Sequence, residues 1–135
     1  MERTGLILFV CVENAGRSQM AEAFAKRNGL EASSAGTIPS QRVNLEVVEA
    51  MKERGIDLSK NVPRMLTMEM IRNAALVVTM RCSVEDVCPR PMLARMQKKL
   101  AEWHLDDPKG KPLGEVRRIR DEIEERVKAL ANVRS

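Results

Sequence analysis

Cys11, Arg17 and Ser18 fall within the stretch Cys11-Val12-Glu13-Asn14-Ala15-Gly16-Arg17-Ser18, and their order describes a reaction site. The thiol ends an apolar run, Leu6-Ile7-Leu8-Phe9-Val10, and a helix-like segment, Gln19 to Lys26, opens directly after Ser18. Successive backbone N–H groups in such a loop converge on the oxygens of a tetrahedral oxyanion, and a helix N-terminus adds positive potential at the same place. That field, with Arg17 close by, should favour the Cys11 thiolate, so the nucleophile would lie beneath its own electrophile. Arg17 offers a planar fork of donors for two oxygens and never loses its charge. Ser18 can donate its hydroxyl to the sulfur and ease its later departure, Asn14 tolerates a left-handed backbone, and Gly16 admits close approach. Val12, Glu13, Asn14, Ala15, Gly16, Arg17 and Ser18 are therefore the expected oxyanion-binding set, with Cys11 as nucleophile. The rival phosphate loop, Gly-x-x-x-x-Gly-Lys-Ser/Thr, is absent from the chain, which removes the main support for nucleotide hydrolysis.

Two more thiols, Cys82 and Cys88, lie beyond a second apolar run, Leu76-Val77-Val78-Thr79-Met80. Ligands of open α/β sheets bind outside the carboxyl ends of the strands, which would bring Cys82 within reach of Cys11. Were the intervening segment helical, the two Cα atoms would stand six rises of ~1.5 Å apart, roughly 9 Å. A disulfide tolerates about 4.4 to 6.8 Å, so Cys82 and Cys88 can bond only where the segment loops or unwinds. Pro89 and Pro91 oppose helix on its far side. Three cysteines are too few for a disulfide framework, and a thiolate needs reducing surroundings, so redox chemistry is the better reading than structural bridging. No Cys-x-x-Cys pair joins His104, and no metal is expected.

The stretch Val10 to Ala25, the Ser34-Ala35-Gly36 step, Leu76 to Thr79, Cys82 with Cys88-Pro89, and Trp103-His104-Leu105-Asp106-Asp107-Pro108 together resemble the arsenate reductases built on the low-molecular-weight protein tyrosine phosphatase fold. The resemblance runs over nearly the full length. It implies a single-domain, three-layer αβα fold over 1–135 with a central four-stranded parallel sheet, Ser34-Ala35-Gly36 near the oxyanion loop, and Asp107 as general acid. It also implies a relay in which Cys11 attacks arsenic, Cys82 attacks the Cys11 sulfur, and Cys88 takes over to leave a Cys82–Cys88 disulfide for thioredoxin, or glutaredoxin, to reduce. No cofactor is implied. Members that hold potassium beside the loop carry Thr-Ser-Asp where this chain has Val62-Pro63-Arg64, so that cation is not expected. Arg64 resembles instead an Arg of the tyrosine phosphatases. Family reductases usually have six residues between the last two cysteines, and this chain has five. Two competitors use the same loop: a phosphatase hydrolysing phosphate monoesters through Cys11 and Asp107, and an oxyanion or redox sensor, which has no need of Asp107.

The elements that must carry these residues are legible in the spacing. Gly5 to Val10 reads as a strand buried on both faces, near the sheet centre. Met20, Ala21, Phe24 and Ala25 share a helical face that Asn28-Gly29 closes. Glu31 to Ser34 suits a short strand. Leu45, Val48 and Met51 mark a helix over 44–54 closed by Gly55. Met68 to Asn73 suits one or two helical turns, Leu76 to Met80 a buried strand, 92–99 a short helix, and Leu100 to Leu105 the last strand. Trp103 is expected in the core. From Leu113 to about Val133, Val116, Ile119, Ile123, Val127 and Leu130 define the closing helix, with Arg118–Glu122, Arg120–Glu124 and Glu122–Arg126 pairs on its outer face.

A length of 135 residues suits one domain. A net charge of +4 and a pI near 9.2 arise from interleaved charges. With one Trp, two Phe and no Tyr for stacking, they point to small anions rather than nucleic acid. No leader-like segment and no apolar stretch near the ~20 residues of a membrane span is visible, so the expectation is a cytoplasmic protein with no membrane partner.

Overall fold

The computed structural model describes residues 5–80 and 99–134. Its centre is β1 (Leu6–Cys11), which pairs in parallel with β2 (Ala32–Gly36) on one side and β3 (Ala74–Met80) on the other, while β4 (Leu100–Trp103) extends β3 to give the order β2-β1-β3-β4. Strands buried on both faces need no alternation, and Ile7, Leu8, Phe9 and Val10 are all fully buried. In register, Cys11 stands beside Gly36 and Val10 beside Thr79, so the carboxyl ends of three strands meet at one edge.

On one face lie α1 (Arg17–Arg27), α2 (Leu45–Lys52) and α4 (Leu113–Arg134), packed on Ile7, Phe9 and Val78. The other face carries Leu8, Val10, Ala35 and Val77 against Ile71 of α3 (Met68–Asn73). The architecture is α/β as expected. Met20, Ala21, Phe24 and Ala25 are completely buried, and each large apolar side chain so placed contributes about 1.5–3 kcal/mol. Gly29 ends α1 with φ +82°, and Gly55 follows α2 with φ +76°, both in the left-handed region where a Cβ is strained. Lys99 Nζ donates to the carbonyls of Ile71 and Ala74, satisfying the C-terminal end of α3.

Three details depart from the sequence reading. In α2 the buried residues are Val47, Ala50 and Met51, while Leu45 is 67% exposed, because at helical spacing it falls on the face opposite those three. Arg120 is buried rather than outward: its Nη1 donates to the Ala50 carbonyl and to Glu53, and Nε donates to Asp121, which ties α4 to α2. Hydrogen bonds from Arg117 and Arg120 hold the Glu53 carboxyl at about 2, far below its ordinary value. The strand expected through Leu105 ends at Trp103, which is half-buried and packs against the core from its margin, its ring 5.7 Å from that of Phe9. The expected Arg118–Glu122 and Glu122–Arg126 pairs are present at 3.8 and 3.3 Å. Cys82, Cys88 and the helix expected over 92–99, apart from Lys99, lie outside the described residues.

Candidate active site

Residues 11–16 leave β1 and turn into α1, and nearly every carbonyl on the way is held from outside. Thr37 N–H donates to Cys11 O, Ile38 N–H to Val12 O, Ser40 N–H to Glu13 O, Asn44 N–H to Ala15 O and Met20 N–H to Gly16 O, at 2.8–3.3 Å. The Gln19 side chain donates to Asn14 O at 3.2 Å. In a planar trans peptide the N–H points opposite the C=O, so carbonyls drawn outward turn the amide hydrogens inward. Asn14 makes the turn possible with φ +53°, the only non-glycine residue at positive φ among the described residues.

At the floor is Cys11 Sγ. The Asn14 N–H donates to it at 3.2 Å, and Ser18 Oγ lies 2.9 Å away. Asn14 Nδ2 donates to Ser18 Oγ at 2.7 Å, which leaves the hydroxyl proton for the sulfur. Cys11 is 3% exposed. Asn14 and Ser18 thus meet the sulfur through a single hydrogen-bond network.

That network is braced from behind by Gln19 and Asn61, which the sequence reading did not single out, and by Arg64, which it did. Buried Gln19 donates through Nε2 to Asn14 Oδ1 at 3.1 Å as well as to Asn14 O, and its own Oε1 accepts from Asn61 Nδ2 at 3.0 Å. Arg64 N–H donates to the same Asn14 Oδ1 at 2.9 Å. A polar side chain in the first turn of a helix packed on a core was the only available signal. Beside the brace, the buried Glu22 carboxylate accepts from Ser34 Oγ at 2.5 Å and pairs with Lys26 at 2.7 Å and Arg64 at 3.8 Å. Arg64 therefore acts through its backbone at the loop and through its guanidinium at Glu22.

Arg17 is 7% exposed, and its Nη1 donates to Met80 O at 2.6 Å and Leu105 O at 3.1 Å. One arm of its fork is thus spent on the end of β3 and on the chain after β4, which fixes the guanidinium against the loop. The other arm, Nη2, lies 3.8 Å from Asp107 Oδ2. Asp107 is 58% exposed by side chain and lines a pocket of about 220 Å³ with Cys11, Val12, Glu13, Ala15, Gly16, Arg17 and Asn44. Asn44, read from sequence only as a helix start, is a wall of this pocket.

Two glycines are explained by contact. A Cβ on Gly36 would stand 2.5 Å from Val12 O, so the Ser34-Ala35-Gly36 step lies against the loop. A Cβ on Gly16 would stand 2.9 Å from Pro108 Cγ, so its smallness admits the acid loop, beyond the backbone closeness expected. Outside the mouth, Lys109 Nζ donates to Glu13 Oε2 at 2.8 Å, and this bond raises the Lys109 ammonium above its ordinary value. His104 is exposed. No helix among the described residues is long and apolar enough to cross a membrane.

The arrangement can bind a tetrahedral oxyanion, attack it with sulfur and exchange a proton with it through a carboxyl group. Comparison with known proteins agrees with that chemistry. The family model for low molecular weight phosphotyrosine protein phosphatase matches residues 6–134. An arsenate reductase of Staphylococcus aureus (strain Newman) is 44% identical over 121 residues, covering 87% of this chain and 88% of that protein. The structure of an arsenate reductase from Archaeoglobus fulgidus DSM 4304 superposes with TM-score 0.75 at 35% identity, covering 93% of this chain and 98% of the other. The YwlE arginine phosphatase from Geobacillus stearothermophilus superposes with TM-score 0.84 at 27% identity, over 95% and 91%.

Proposed function

The chain belongs to the low molecular weight phosphotyrosine protein phosphatase family, and from that premise we propose that it is an enzyme reducing arsenate to arsenite, as its relatives' names indicate for them. The observation that carries this reading is the Cys11 sulfur, lying under a loop whose carbonyls are held outward and bonded by Asn14 N–H and approached by Ser18 Oγ. Arsenate matches phosphate in shape and charge, so the loop binds it, and donors aimed at the oxyanion stabilise the charge that develops on attack. Cys11 thiolate attacks arsenic while Asp107 protonates the departing oxygen, giving a sulfur–arsenic(V) bond and water.

Cys82 thiolate then attacks the Cys11 sulfur. The sulfur–arsenic bond breaks with its electron pair passing to arsenic, so arsenite leaves and a Cys11–Cys82 disulfide remains. Cys88 attacks the Cys82 sulfur, which releases Cys11 thiolate and leaves a Cys82–Cys88 disulfide. A dithiol donor of the thioredoxin type, or glutaredoxin, restores both thiols by the same exchange. Support for Cys82 comes from the end of β3: Met80 O accepts from Arg17, and Cys82 is two residues further along the chain, a reach of at most about 7 Å.

A second reading, phosphate monoester hydrolysis through a Cys11 phosphocysteine with Asp107 as acid and then base, is supported by Asp107 sharing one pocket with Cys11. It needs no electron donor. Cys11→Ser, Cys82→Ser and Cys88→Ser separate the two when assayed for arsenate reduction and for p-nitrophenyl phosphate hydrolysis. Cys11→Ser loses both, whereas the other two lose arsenate turnover and keep hydrolysis. Full arsenate turnover in Cys88→Ser overturns the relay and points to a small-thiol route.

A further inference from the structure

Glu13 lines the pocket that would take the anion, and an acidic residue there works against its substrate by Coulomb repulsion. Among the described residues the pocket is lined by two acidic residues, each with a cation of its own: Asp107 lies 3.8 Å from Arg17, which also lines the pocket, and Glu13 lies 2.8 Å from Lys109 at its outer edge. Arg17 is further committed to two carbonyls, whereas Lys109 makes its side-chain bond to Glu13. Removing the ammonium would leave a bare negative charge on a residue that lines the same pocket as Cys11.

We propose that Lys109 is a specificity-determining residue that masks the Glu13 carboxylate, so that the mouth admits a small doubly charged oxyanion; this rests on the oxyanion reading above. A tether is the other role the bond could serve, holding the 105–110 loop over the pocket. The loop has anchors enough without it. Asp106 accepts from Arg118 at 2.9 Å, Leu105 O accepts from Arg17 at 3.1 Å, and Pro108 packs against Gly16. Lys109 N–H closes a local turn onto Asp107 Oδ1 at 3.0 Å, a bond that belongs to the backbone and survives loss of the side chain. The masking role predicts opposite effects for the two partners, while a tether predicts the same effect for both.

The test is the affinity of the purified full-length chain for inorganic phosphate, measured by titration calorimetry without turnover. Lys109→Ala weakens binding roughly tenfold, as one uncovered charge near a dianion should at low salt. Glu13→Gln binds at least as tightly as the unaltered chain, and Glu13→Gln/Lys109→Ala recovers most of the lost affinity. The Lys109→Ala loss also shrinks when NaCl rises from about 0.05 to about 0.5 M, a response that a packing role does not give. Equal weakening by both single variants overturns the mask in favour of a tether, and an unchanged affinity in Lys109→Ala overturns both. Failure of the unaltered chain to bind phosphate overturns the oxyanion reading and this assignment with it, whereas the preceding outcomes leave that reading standing.

Discussion

The nucleophile loop and the acid loop face each other across one pocket, yet they are held by different physics. Cys11 is 3% exposed and Asn14 fully buried, and their positions are set by side-chain and backbone bonds from residues 19, 37–44, 61 and 64. Asp107 is 58% exposed by side chain, and around it the 105–110 loop is held by Arg17, by Pro108 against Gly16 and by surface ion pairs of Asp106 and Lys109. Buried polar groups are costly to leave unpaired, whereas exposed ion pairs contribute little. Cys11 is therefore over-determined in position, and Asp107 is placed by a few adjustable contacts. A sulfur that must attack an anion held by the loop's amides needs the first arrangement; a carboxyl group that must give and take protons at the solvent edge suits the second.

The sharpest way to break the comparison is Gly36→Ala. Its Cβ would lie 2.5 Å from Val12 O and 2.9 Å from Asn14 N, all backbone that cannot swing aside. Both reactions should fall by more than about a hundredfold, since displacing reacting groups by about 1 Å costs that much. Phosphate affinity should fall with them, and a retained affinity would mean the loop is less rigid than its bonds indicate.

Asp107→Asn comes next. It keeps shape and removes the proton-transfer group, so kcat for p-nitrophenyl phosphate should fall about 10²-fold or more with phosphate affinity little changed. An unchanged kcat would assign the proton to another group.

The smallest effects compare the two braces directly by urea unfolding. Gln19→Ala takes the donor from the buried Asn14 carbonyl and one of the two donors from Asn14 Oδ1, and should cost about 1–3 kcal/mol. Arg118→Ala breaks the exposed pairs with Asp106 and Glu115 and should cost about 0–1 kcal/mol. Equal losses would erase the distinction between the loops.

Much of this site was legible because it is local. Leu6 to Val10, the loop and the first turn of α1 form one strand–loop–helix unit, in which apolar run, Cys, Arg and helix face are read within twenty residues. Ser18 and Asn14 were legible for the same reason, lying seven and three positions from Cys11. Arg120 and Leu45 were misplaced because helical spacing fixes which residues share a face, and only neighbouring elements decide which face is covered.

By itself the sequence marked Cys11 as the candidate nucleophile, Cys11 to Ser18 as the candidate anion loop, and most of the strands and helices along the chain, since each depends on residue type and short-range spacing. Tertiary structure alone decided the Gln19–Asn61–Arg64 brace, the carbonyls that fix Arg17, the reason for Gly16 and the Glu13–Lys109 pair. Those contacts join residues 42 to 96 positions apart, and no pattern along a chain specifies which distant polar groups meet when a sheet closes around them.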